Sequence, residues 1–147
     1  MNAHLARFLA VVALATVAFT MSAHANAPAG RYTTSGGTVY DTKTKLTWQQ
    51  AVPSTPYTWD GAKTYCAGLN LAGTGWRLPT VKELQTIVDD SRTSPAIDTT
   101  AFPATPSDYF WSSSTSAGSS IGWFVVFDYG YTGNLSRFIA LDVRCVR

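Results

Sequence analysis

Histidine and methionine are nearly absent from this 147-residue chain, and both are confined to its first 25 positions. The two histidines are His4 and His24, and the two methionines are Met1 and Met21. That segment reads as a secretory signal peptide. Arg7 supplies the positive n-region, Phe8 to Phe19 an unbroken run of apolar residues and threonine, and Ala23-His24-Ala25 an A-x-A cleavage site. The run is shorter than the roughly 20 residues a membrane-spanning helix needs. A chain cut after Ala25 has no imidazole, which excludes Ser-His-Asp and Cys-His catalysis, histidine-ligated zinc and a histidine pH switch. Once Arg7 is removed, ten basic residues face nine acidic ones, a balance of +1. A nucleic-acid binder needs a clear basic excess, so none is expected as a partner. No second apolar stretch reaches membrane-spanning length, and Glu83 is the only glutamate.

Cysteine is also scarce. Cys66 and Cys145 are the only two, with no CxxC spacing. In an exported chain such a pair is expected to form a structural disulfide. It would close a loop of about 80 residues, which the chain-entropy account values at roughly 4.5 kcal/mol.

The remaining residues outline an α+β domain. Residues 26–36, rich in Ala, Pro and Gly at their start, read as a flexible leader before a domain at 37–147. Thr38-Val39-Tyr40 and Leu46-Thr47-Trp48 read as a hairpin around Asp41 to Lys45. A first helix is expected from Thr58 as N-cap, with Trp59, Ala62, Cys66 and Leu69 on one face. Thr80-Val81-Lys82-Glu83 is a capping box opening a second helix, whose apolar face is Val81, Leu84, Ile87 and Val88, running to Asp89. Pro79 keeps the preceding segment out of that helix. Residues 90–107 read as a long loop anchored by Ile97 and Phe102. Tyr109 to Ser113 and Gly122 to Asp128 read as strands, the latter central because both faces are apolar. Residues 129–134 are expected as a turn, with further strands at 137–140 and 141–146.

Trp76-Arg77-Leu78-Pro79-Thr80 before a helix, Asp41 to Trp48, Trp111-Ser112-Ser113-Ser114 and Val143-Arg144-Cys145-Val146-Arg147 resemble the Lcl C-terminal domain family of exported bacterial proteins. The Arg-Leu-Pro-Thr element is also similar to that of formylglycine-generating, sulfatase-modifying enzymes. Both resemblances imply a C-type-lectin-like fold: two helices packed on antiparallel sheets, with a disulfide tying the first helix to the last strand. Lys45 stands where the family usually has glycine in the first hairpin turn. If that position needs a positive φ, a side chain costs roughly 1 kcal/mol there. The sugar-binding motifs of calcium-dependent lectins are absent, as is the catalytic cysteine pair of the sulfatase-modifying enzymes. The resemblance therefore implies no enzyme activity, no cofactor and no metal.

The candidate sites follow from exposure and residue type. Trp48, Trp59, Trp76 and Trp123 fall at core positions. Arg77 is read either as a buried arginine paired with Asp142 or Asp128, or as an anion contact. Asp89 and Asp90 read as a helix-end charge pair, because adjacent side chains on a helix do not face each other. No loop has a calcium-binding spacing. Tyr129, Tyr131, Arg137 and Trp111 are the candidate binding residues. Aromatic faces beside hydroxyls and an arginine suit a sugar ring or a protein partner, while rim packing is the competing account of the tyrosines and core packing that of Trp111. The expected function is non-catalytic binding to a glycan or protein at the cell envelope or outside the cell. A structural envelope protein and a sulfatase-modifying-type enzyme are the alternatives.

Overall fold

The computed structural model describes residues 28–116 and 120–147. The expected signal peptide lies outside the described residues. Two three-stranded antiparallel sheets carry the fold. The first joins β1 (Tyr32–Ser35), β2 (Thr38–Asp41) and β3 (Thr47–Gln49) in that order. The second joins β4 (Tyr109–Thr115), β5 (Ile121–Val126) and β6 (Thr132–Ser136). Helices α1 (Trp59–Gly68) and α2 (Val81–Gln85) lie between the two sheets in the chain. The α+β class, the central place of β5 and both helix starts are as the sequence leads one to expect.

The expected leader is partly structured. Residues 32–35 form β1, whose register runs from Tyr32 opposite Asp41 to Ser35 opposite Thr38. Just before it, Arg31 forms a two-pronged ion pair with the fully buried Asp41, at 2.8 and 3.1 Å, and donates to the Thr86 carbonyl at 2.6 Å. Burial alone would raise the Asp41 carboxyl. Hydrogen bonds from Arg31, the Lys43 N–H and Thr44 outweigh it, so the net shift is downward. In the turn that follows, Lys45 has φ +64°, so a lysine holds the left-handed position that favours glycine.

Thr58 caps α1, accepting from the Gly61 N–H at 3.3 Å, and Trp59, Ala62 and Cys66 are its buried side. At α2 the capping box is complete: the Thr80 hydroxyl accepts from the Glu83 N–H, and the Glu83 carboxylate accepts from the Thr80 N–H. This helix stops at Gln85, short of the expected Asp89. Thr86, Ile87 and Val88 are β-branched, which disfavours helix. Val88 instead bridges Ile97, and the Asp89 N–H donates to Ala96. Those bonds tie down the loop after it, and Ile97 and Phe102 are fully buried there. Asp89 is buried against Ser91 and Arg92 rather than set in a helix-end pair with Asp90.

The C-terminal region departs most from expectation. The turn is at 127–129, and β6 begins at Thr132, inside the expected turn. Of residues 137–140, expected as strand, 137–139 are turn and bend. Residues 141–147 form bridges to several elements instead of one strand. Leu141 pairs with Tyr57, Asp142 bonds to Tyr109 and Trp111, Val146 pairs with Arg77, and Arg147 pairs with Thr47. Cys145 bonds to Gln49 through its carbonyl and is disulfide-linked to Cys66 on α1.

Two clusters of apolar side chains fill the interior. One centres on Val39, Trp48, Leu84, Phe102, Phe110 and Phe127. The other joins Trp59, Trp76, Trp111, Phe124, Val143 and the disulfide. Trp48, Trp59 and Trp76 are core, as expected, whereas Trp123 is only half-buried. Among the described residues, fully buried Arg144 has no carboxylate partner. Its Nη2 donates to Thr105 at 2.8 Å, its guanidinium lies 4.6 Å over Phe102, and Nε and Nη1 find no hydrogen-bond partner among those residues. Burial pushes this guanidinium down to about 9.

Candidate functional site

The strand β6 separates the expected binding residues into two groups. Tyr129 and Tyr131 lie just before it, and Arg137 just after it. At about 3.3 Å per residue, Tyr131 and Arg137 are roughly 20 Å apart along the strand. They are therefore two local surfaces, not one.

At the first end the chain turns sharply at Gly130, whose φ is +81°. A Cβ there would collide with the Val88 side chain, so the close packing of this turn requires glycine. The turn presents Tyr129 at 64% exposure and Tyr131 at 50%. The Tyr131 hydroxyl lies 3.5 Å from that of Tyr109, and this contact raises the Tyr131 phenol. Tyr109 in turn packs edge-on against Phe124, with ring centres 4.9 Å apart. Sequence reading missed Tyr109 as part of this cluster. The antiparallel register that sets Tyr109 opposite Val126, next to the turn, is what brings it there.

At the second end Arg137 stacks over the Trp59 ring at 4.7 Å, and Lys63 lies over the same ring at 4.4 Å. Trp59 is nearly buried and is fixed by donation from Nε1 to the Ser112 carbonyl at 2.7 Å. Its backbone N–H donates to the Arg137 carbonyl. Phe138, 82% exposed, and Ile139 project from the adjoining turn. Neither stood out in the sequence, because residues 137–140 read as strand rather than as an exposed turn.

Trp111, the fourth candidate, is not on a surface. It is fully buried, with Nε1 donating to the Tyr57 carbonyl at 3.0 Å. It belongs to the core because β4 packs against α1 through it and Gly122 faces it without a side chain.

Arg77 is also placed differently from expectation. It is neither buried nor paired with Asp142 or Asp128. Its guanidinium grips Glu83 through two bonds, 2.6 and 2.8 Å long. Hydrogen bonding from Arg77, with help from Thr80, brings the Glu83 carboxyl down to about 2 despite partial burial. Beside this pair is a cleft of about 420 Å³, lined by Lys63 and Ala67 of α1, Arg77, Leu78, Thr80 and Ser113. Among the described residues, no cluster of three or more His, Cys, Asp or Glu side chains is arranged to hold a metal ion. No helix among them is long and apolar enough to cross a membrane.

These features define a small α+β domain stapled from first helix to final segment, with aromatic side chains displayed at both ends of an edge strand. Residues 37–147 match the Lcl C-terminal domain, and the chain belongs to that family. No curated protein matches it in sequence.

Proposed function

We propose that this protein is an exported, non-catalytic binding domain that attaches to a glycan or to a protein at the cell envelope or outside the cell. The observation that carries this reading is the Tyr129–Tyr131 turn. Two tyrosines stand exposed on a turn held by a glycine that cannot be replaced without displacing Val88. Tyrosine offers a rigid apolar face with a polar tip, at little entropic cost on binding. That pairing suits the faces of sugar rings and the centres of protein interfaces alike.

Export is supported by the signal-like first 25 residues and by a disulfide, which persists in oxidising compartments. The C-type-lectin-like assignment is supported by the link between first helix and final segment. A sulfatase-modifying activity is disfavoured because both cysteines are consumed in the disulfide.

The test is a screen of the oxidised protein against a glycan array and immobilised envelope extracts, followed by Tyr129→Ala and Tyr131→Ala. Each substitution should weaken binding by about 1 kcal/mol or more, as interface aromatics do. Circular dichroism should remain unchanged. Normal binding by both variants, or unfolding of either, rejects this face.

A further inference from the structure

We infer that the cleft between α1 and the Arg77–Glu83 pair is a second binding site, one that takes a small organic acid with an apolar body, such as an aliphatic or aromatic carboxylate. The site is separate from the tyrosine turn and does not depend on it.

Its size comes first. A volume of about 420 Å³ falls within the range of small-ligand pockets, roughly 300–1,000 Å³. Its surface is mostly apolar, with Ala67 and Leu78 contributing carbon, so a ligand held here needs a hydrophobic portion.

Its charge comes second. Arg77 and Glu83 neutralise each other. Lys63 is left over: among the described residues it makes no ion pair, and its ammonium rests over the Trp59 ring instead. The nearest acid on its own helix is exposed Asp60, one turn earlier. Arg77 spends two of its five N–H bonds on Glu83 and keeps three to donate. The cleft is thus bordered by a lysine with no acidic partner among the described residues and by a partly free guanidinium, which together favour an anion.

The hydroxyls decide the shape of that anion. Thr80 is fully used in the capping box. The Ser113 hydroxyl has no hydrogen-bond partner among the described residues, while its backbone N–H is fixed on the Pro79 carbonyl at 2.7 Å. One cation, one guanidinium edge and one hydroxyl match a single carboxylate. They do not match the many hydroxyls of a neutral sugar, which would meet carbon on most sides.

The experiment is an amide-resolved NMR titration of the folded, disulfide-bonded protein with hexanoate and phenylacetate, each paired with its neutral amide. The acids should move the resonances of residues 63–67, 77–80 and 113 at millimolar concentration. The amides should bind about tenfold more weakly, the loss expected when one charge-assisted contact goes. Lys63→Gln, at an exposed position, should weaken the acids by a similar factor. Ala67→Leu, also exposed, should close the cleft and abolish the shifts, while Tyr131→Ala should leave them intact. Equal shifts from acid and amide, shifts centred elsewhere, or none at all would overturn the proposal. Loss of acid binding in Tyr131→Ala alone would assign it to the tyrosine turn instead.

Discussion

Removing the charge of Glu83 should destabilise the protein in a way that vanishes in acid. Its carboxylate is held by Arg77 at 2.6 and 2.8 Å and accepts from the Thr80 N–H at 2.8 Å. These contacts lower its pKa from the ordinary 4.5 to about 2. At 1.36 kcal/mol per pH unit, that drop sets a ceiling of roughly 3 kcal/mol. The Arg77 side chain is 48% exposed, however, and that of Glu83 24%. Solvent and salt screen such a pair, which reduces the expected contribution to about 1–2 kcal/mol. A carboxylate with a depressed folded-state pKa stabilises the fold fully above its unfolded value and loses that effect as pH falls through the folded value. Glu83→Gln should therefore cost about 1–2 kcal/mol at pH 7 by urea unfolding. The gap from wild type should narrow steadily from pH 4.5 down to the lowest pH at which the wild type still folds. Arg77→Met, alone and combined with Glu83→Gln, completes a double-mutant cycle that isolates the pair. A cost that is the same at pH 7 and in acid, or a cycle with no coupling, would refute the reasoning.

Three further outcomes are expected. Lys45→Gly should raise the thermal midpoint, because relief of a left-handed lysine is worth about 1 kcal/mol, less the greater freedom glycine has when unfolded; a lowered midpoint would mean that the Lys45 side chain contributes contacts outweighing the strain. Arg144→Met, of similar volume, should be neutral or stabilising in urea unfolding, because an unpaired buried guanidinium costs more than a buried thioether, and a loss above about 2 kcal/mol would show that the Phe102 stacking outweighs that cost. Replacing Cys66 and Cys145 together by serine should cost about 2–5 kcal/mol, with intact mass before and after reduction confirming the bond in the parent protein.

Local chemistry made much of the fold legible. Thr58 and Thr80 announce their helices because a cap is decided by side chain and backbone within three residues, and both caps form. The central place of β5 was readable because apolar residues on both faces require cover on both faces. The failures share one cause, which is contact between distant segments. Tyr32 to Ser35 are mostly exposed and polar, and they become a strand only because β2 offers an open edge. Residues 141–146 have the alternation of a strand, yet their partners are divided among Tyr57, Arg77, β3 and β4, so no continuous ladder forms. Arg77 misled for a related reason: its partner was six residues away, already assigned to capping, and one carboxylate serves both tasks. In the candidate site, Tyr129 and Tyr131 were legible as exposed turn aromatics. Arg137 was not separable from them until β6 was placed between them.

The scattered pairing of residues 141–147 also fixes when the protein can become itself. Every element these residues join, from Thr47 on β3 to Trp111 on β4, emerges earlier in the chain than they do. Until they arrive, β3 lacks a neighbour on one side, Arg77 has an unmatched backbone and Cys66 has no partner thiol. Long-range closures of this kind are slow to form and come after local ones. Native pairing across the two sheets can therefore be completed only once residues 141–147 are available, whatever local structure forms before them.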